Sequence, residues 1–340
     1  MKPRELKTVL KAHVEARQPA IIVSEPGLGK SAIVNQIAEE LGFDIEFSHP
    51  VTEDPTDPKG MPWCWSDDKG IRADFIPFGT IEKLVKAKKR TIWMIDDLGQ
   101  APLMVQAPYM QWFHARRVNG HILSDNVSIL AATNRKQDKS ASNGIIEALK
   151  SRSGIYNLEA DLEDWCQWAY QNEILPDIIA CLRANSQILC QFKPTTDLVN
   201  SPCPRSWHLL SNILKQGVPE ALEYEISSGH VGEAAATSYI GFRRIANKLS
   251  GKNHPDYIIM NPEDGGIPAN EGEANIQYVI CTTLARKASG NTVDRIVTYA
   301  DRLPEEFSVL LMKDTINFFP KATSSKTYLK WAQKHAEVLF

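Results

Sequence analysis

The sequence predicts an α/β core built on a parallel sheet, followed by a wholly helical second half. Three observations carry that expectation. Residues 21–31, Ile-Ile-Val-Ser-Glu-Pro-Gly-Leu-Gly-Lys-Ser, run from a β-prone apolar stretch through a glycine-bearing loop straight into a helical pattern. Two further β-like runs, Thr91 to Ile95 and Val127 to Ala132, end in polar groups, Asp96-Asp97 and Thr133-Asn134. From residue 161 onward the apolar spacing is helical.

The first of these elements is the most specific. After the loop, Ile33, Val34, Ile37, Ala38 and Leu41 recur at helical spacing, and Gly42 marks the stop. Strand, glycine-bearing loop and helix in that order are the context a phosphate-binding P-loop requires. Backbone N–H groups of the loop and the helix N-terminus converge on one place, where an anion is favoured. Ser24, Glu25, Pro26, Gly27, Leu28, Gly29, Lys30 and Ser31 are therefore the expected nucleotide-binding residues. Lys30 reaches the β- and γ-phosphates in such a loop, and the Ser31 hydroxyl ligates Mg²⁺. Ser24 stands where the pattern GxxxxGK[ST] has its first glycine, which works only if its backbone angles are ordinary ones.

The second run delivers two carboxylates. Asp96 at the end of a buried strand is placed to hold Mg²⁺, the Walker B arrangement, and Asp97 to polarise an attacking water. The third run ends at Asn134, where ligands of open α/β sheets collect. Two arginines follow: Arg152 after a short helical segment, in Leu149-Lys150-Ser151-Arg152, and Arg205 in Pro204-Arg205, where Pro204 suits a first helical turn.

Composition narrows the class. The chain has 340 residues, 43% hydrophobic and 23% charged, with a formal net charge of −3. That balance is globular and gives no global pull towards nucleic acid or an anionic membrane. No membrane-length apolar run and no signal peptide appear, so a cytoplasmic location is expected. The six cysteines show no CxxC pair and no zinc spacing, and read as reduced, mostly buried thiols. The eight histidines are scattered without metal spacing.

Taken in order, these motifs resemble the AAA+ ATPases. More narrowly, Glu25 to Ser31, Asp96-Asp97-Leu98-Gly99-Gln100-Ala101-Pro102 and Asp54-Pro55-Thr56-Asp57-Pro58-Lys59-Gly60-Met61-Pro62 look like the MoxR-type branch. The resemblance covers residues from about 5 to 250. It implies an AAA+ αβα core over residues 1–160 and an all-helical lid over 161–250; beyond it, the apolar spacing reads as a C-terminal helical extension over 251–340. It also implies that Asn134 is sensor 1, that Arg205 is sensor 2, and that Arg152 is an arginine finger reaching a neighbouring subunit. The assembly it implies is a homo-oligomeric ring, commonly hexameric, with ATP and Mg²⁺ as cofactors. The client it implies is a protein, often one with a von Willebrand A domain. The chain departs from the branch at Ser24, at Asp97, where most hydrolysing relatives have Glu, and at Leu98-Gly99-Gln100. A carboxylate one methylene shorter leaves ATP binding intact and puts the hydrolysis rate in question.

Between the two Walker motifs, residues 50–79 are rich in proline and glycine and carry Trp63, Trp65, Phe75 and Phe78. This reads as a long loop, in which the two tryptophans either grip a partner or pin the loop to its own domain. Pro108 to Asn126 reads as a helix end and then a hairpin about Asn119-Gly120, with Arg116 and Arg117 at its base. Lys83, Lys86, Lys88, Lys89 and Arg90 read as the solvated end of a helix. Residues 251–272 read as a linker before a last helical segment ending near Phe340. The favoured function is an ATP-hydrolysing remodeller of a partner protein. Its alternatives are a nucleic-acid-directed motor or loader, which the near-neutral charge disfavours, and a nucleotide-gated assembly protein with slow turnover.

Overall fold

The computed structural model describes residues 1–68, 70–138, 143–246, 249–268 and 274–335. It divides into two compact units, one of residues 1–161 with 192–196, the other of residues 162–191 with 197–340.

In the first unit the elements run α1 (Pro3–Ala16), β1 (Ala20–Ser24), α2 (Lys30–Leu41), β2 (Asp44–Ser48), β3 (Met61–Asp67), β4 (Gly70–Ile76), α3 (Gly79–Val85), β5 (Thr91–Ile95), α4 (Leu103–Ala115), β6 (Arg117–Val118), β7 (His121–Ile122), β8 (Val127–Asn134), α5 (Glu147–Lys150) and β9 (Gly154–Asn157). Five of these strands form one parallel sheet in the order β2-β5-β8-β1-β9. The strand of Asn134 therefore lies between the loop strand β1 and the carboxylate strand β5. Strand β5 is buried along its whole length, as a strand covered on both faces must be. Ile21, Trp93, Ile95, Ile129 and Ala131 pack on one face against α3, α4 and Leu149 of α5. The alternate residues Ile22, Ile92, Met94, Leu130 and Ala132 are also buried, and β8 contacts α1 while β5 contacts α2. This is a three-layer αβα arrangement.

Helix α2 stops where the sequence indicates. Gly42 takes φ +66°, and the N–H groups of Gly42 and Phe43 reach back to the carbonyls of Glu39 and Ala38. The segment expected as a long loop differs from that expectation. Residues 61–76 form the antiparallel hairpin β3–β4, with Trp63 opposite Asp74 and Trp65 opposite Arg72. Trp63 and Trp65 are 55% and 39% exposed, so neither ring is fully packed against its own domain. The hairpin's base is held instead by backbone carbonyls: Trp112 Nε1 donates to Pro58 O, Asn119 Nδ2 donates to Lys59 O, and His121 Nε2 bonds Phe75 O. The small hairpin β6–β7 turns at Asn119 and Gly120, both at positive φ, as Asn-Gly predicts. Arg116 is structural, its Nη2 donating to Ser124 O and Val127 O.

The second unit is helical: α6 (Leu162–Gln171), α7 (Pro176–Ala184), α8 (Pro204–Leu214), α9 (Glu223–Val231), α10 (Glu233–Ala246), α11 (Pro255–Met260), α12 (Ala274–Arg286), α13 (Val293–Ala300), α14 (Glu305–Phe318) and α15 (Lys326–Lys334). Residues 162–191, 197–246 and 249–250 share this unit with the described part of 251–340. Helix α12 packs on both α7 and α14, placing Val279 in one apolar cluster and Ile280, Cys281 and Leu284 in the other. Arg183 of α7 and Asp314 of α14 form a buried two-pronged ion pair at 2.7 and 2.8 Å, and Tyr170 OH donates to the same carboxylate. The expected linker is partly ordered by this packing: Ile258 of α11 is buried, and Tyr299 OH donates to Gly266 O. The linker's end at residues 269–272 and the chain end near Phe340 lie outside the described residues.

Cys166, Cys181 and Cys281 are buried, and burial pushes each thiol up to about 12. Cys64 is exposed, and Cys190 and Cys203 are intermediate, so fewer thiols are buried than the sequence suggests. Among the described residues no helix is long and apolar enough to cross a membrane.

Candidate nucleotide site

Three strand ends and one loop build the site. Ser24 closes β1 with an ordinary backbone, and the positive φ values fall on Gly27 (+78°) and Gly29 (+89°). The missing first glycine is thus no obstacle, because the turn's left-handed positions lie further along. Ser24 Oγ donates to Glu25 O at 2.7 Å, which steadies the loop's entry.

Parallel register places Ser24 beside Asn134. Lys30, only 7% exposed, donates through Nζ to Asn134 Oδ1 at 2.6 Å, to Ser24 Oγ at 3.2 Å and to Glu25 O at 3.3 Å. Ser31 Oγ donates to Asp96 Oδ2 at 2.5 Å, and Asp96 Oδ1 accepts the N–H of Asp97 at 3.0 Å. Loop, first carboxylate and strand-end amide are brought together within the first unit.

Asp97 has φ +54°, a left-handed conformation that Asp tolerates better than most side chains. The chain then makes a short 3₁₀ turn over Leu98–Gln100. Gln100 Nε2 donates to Asp97 Oδ1 at 2.8 Å, and Thr133 Oγ1 donates to Gln100 Oε1 at 3.3 Å. Gly99 is required in this turn, since a Cβ there would lie 2.3 Å from Thr133 Oγ1. Burial, and then the neighbouring Asp96 carboxylate, push the Asp97 carboxyl above its ordinary value; Lys30, His49 and Gln100 oppose them.

The donor chemistry fits the groups expected here. A hydroxyl and a carboxylate oxygen on one spot are hard ligands of the kind Mg²⁺ takes, and Mg²⁺ sites commonly use only one or two protein carboxylates with waters and phosphates. A nearly buried lysine ammonium among polar oxygens suits a polyphosphate.

Arg152 is bonded within its own segment. It donates through Nη1 to Ala148 O at 2.6 Å and Ser151 Oγ at 3.1 Å, and its buried Nε has no hydrogen-bond partner. Arg205 is exposed at the start of α8 in the second unit.

Sequence reasoning missed three contributors. Gln100 holds Asp97 and Thr133 holds Gln100, and the signal for Gln100 was the departure at Leu98-Gly99-Gln100 itself. Arg135 bonds Glu25 and Asp138 next to the loop, and its signal was only adjacency to Asn134.

No family model matches the chain. No curated protein matches it either. Among solved structures it is similar to the RuvB Holliday junction branch migration motor of Thermotoga maritima, at 14% identity and TM-score 0.40 over 83% of this chain and 81% of that one. It is also similar to NtrX from Brucella abortus, at 14% identity and TM-score 0.41 over 98% of this chain and 67% of that one. NtrX in complex with ADP aligns at 12% identity with the same TM-score of 0.41. These are distant likenesses. Strand order, loop and helical second unit together define the fold: an α/β P-loop core with a helical C-terminal part.

Proposed function

We propose that this chain is a Mg²⁺-dependent ATPase of the AAA+ superfamily. The observation that carries the reading is the convergence of Lys30 on Asn134 and of Ser31 on Asp96 around one P-loop. Lys30 offsets phosphate charge, Ser31 and Asp96 hold the metal, Asp97 orients a water, and Asn134 stands beside the γ-phosphate position. Mg²⁺, when bound, neutralises charge on the phosphates during transfer.

The finer reading is a MoxR-like remodeller of a protein client, assembled as a homo-oligomeric ring. The resemblance in residues 25–31 and 96–102 supports it, and the exposed Trp63 and Trp65 offer a surface for a client. In this reading Arg152 completes a neighbour's site and Arg205 senses nucleotide from the helical unit. An arginine finger supplied in trans is worth about 10³–10⁵ in rate. A second reading, a nucleotide-gated assembly with slow turnover, is favoured by the short Asp97 side chain held by Gln100.

The test is ATP turnover measured with light scattering for wild type and Arg152→Ala, with a mixed-subunit dilution series. Assembly with turnover that Arg152→Ala abolishes, while ATP binding persists, supports the shared site. Turnover independent of concentration and of Arg152 overturns it. Assembly without turnover supports the slow-turnover reading.

A further inference from the structure

Arg135 is the residue after Asn134, and nothing in the expected machinery uses it. Its Nη2 donates to Glu25 Oε1 at 2.5 Å and to Asp138 Oδ1 at 2.9 Å. Its Nε donates to both Asp138 oxygens at 3.2 Å. Its backbone N–H donates to Ser24 O at 3.3 Å and to Asp138 Oδ2 at 3.2 Å. Asp138 is 3% exposed, so its bonds to Arg135 fix the guanidinium from behind. One residue therefore grips the first two residues of the loop, Ser24 by main chain and Glu25 by side chain.

We propose that Arg135 is a positioning residue for the nucleotide, acting through Glu25: it holds the loop's entry to the strand of Asn134 and cancels the Glu25 charge beside a polyphosphate. The inference rests on the nucleotide-binding reading of the loop. Its physical basis is short. Glu25 lies at the loop's entry, and its carbonyl accepts from Lys30 Nζ at 3.3 Å, so any shift of Glu25 is felt at the ammonium. A carboxylate left uncompensated there opposes an anionic ligand at short range, whereas a guanidinium at hydrogen-bond distance offsets it. For stability alone, the partly exposed Arg135–Glu25 pair contributes little. Its effect belongs in nucleotide affinity.

A double-substitution cycle tests this, using a ribose-labelled fluorescent ATP analogue with Mg²⁺ and reading Kd and Tm for each variant. Arg135→Ala is expected to weaken binding about tenfold, the size of one charge-assisted hydrogen bond. In a Glu25→Gln background the same substitution is expected to change Kd by less than about twofold, because the partner through which it acts is gone. Arg135→Lys, which keeps the charge and loses the fork, should fall between wild type and Arg135→Ala, and it carries the test if the alanine variant does not fold. Wild-type affinity in Arg135→Ala overturns the inference alone. So does an equal loss in both backgrounds, which would put Arg135 on the nucleotide or in the fold without Glu25. Wild type that does not bind the analogue overturns the nucleotide reading and this inference with it.

Discussion

Ser31 Oγ donates a 2.5 Å hydrogen bond to Asp96 Oδ2, joining the first turn of α2 to the end of β5. Those two oxygens are the protein's contribution to a Mg²⁺ site in the proposed reading. Asp96→Asn and Ser31→Ala should each lose at least about tenfold of the affinity that Mg²⁺ adds to ATP binding, and little of the affinity for ATP alone. Titrations with and without Mg²⁺ separate the two. An unchanged Mg²⁺ effect in both variants would remove these residues from the metal site.

Gly99 lies against the end of β8. A methyl group there would sit 2.3 Å from Thr133 Oγ1, so Gly99→Ala must displace Thr133 or the Asp97–Gln100 turn. The expected cost is about 1–3 kcal/mol of stability, the usual range for overpacking. Turnover should fall further than ATP affinity, because the displaced turn holds Asp97. Thermal melts and steady-state kinetics read both, and wild-type behaviour would show that the turn yields freely.

Arg183 and Asp314 tie helices from either half of the second unit. Arg183→Met strands a buried carboxylate and should cost about 3–5 kcal/mol, whereas Arg183→Met with Asp314→Leu should recover most of that loss. Denaturant melts check the pair. A double variant as unstable as the single one would mean that packing, not charge, sets the cost.

Glu53 accepts a hydrogen bond from Tyr109 OH, and burial raises its carboxyl above the ordinary 4.5. A group raised on folding favours the native state below its unfolded pKa, and that contribution is lost as pH rises through the folded value. Relative to wild type, Glu53→Gln should therefore gain stability as pH climbs from 4.5 through the raised value, with a constant difference below 4.5. Melting temperatures across a pH series measure this. A difference that does not vary with pH would show that Glu53 does not titrate in this way.

Trp63 and Trp65 are exposed on the β3–β4 hairpin. Replacing each with Ala should shift stability by no more than about 0.5 kcal/mol, as for ordinary surface positions. A larger loss would mean that the rings pack on the body of the domain.

Much of the first unit was legible because its elements carry strong local signals. The apolar runs at 92–95 and 127–132 have no polar interruption except Ser128, whose hydroxyl donates to Val14 O at 2.7 Å and so is satisfied inside. The Asn-Gly turn and Gly42 mark their positions by backbone conformation alone. What was not legible depends on partners distant in sequence. The hairpin at 61–76 was obscured because Pro62 and Gly60 read as breakers, and its pairing of Trp65 with Arg72 has no periodic signature. Arg135 looked like any charge after a strand, since Glu25 lies 110 residues away from it. Gly266 and Ile258 looked like linker because their packing against Tyr299 depends on a helix further along the chain.

The proposed ATPase stands or falls most directly on steady-state hydrolysis of Mg²⁺-ATP by wild type beside Lys30→Ala. Lys30 is the buried cation on which Ser24, Glu25 and Asn134 converge, so its loss should abolish turnover while leaving the folded circular dichroism spectrum intact. Turnover by wild type that disappears in Lys30→Ala is the expected result. Equal turnover in both, or wild type that neither binds nor hydrolyses ATP, would contradict it.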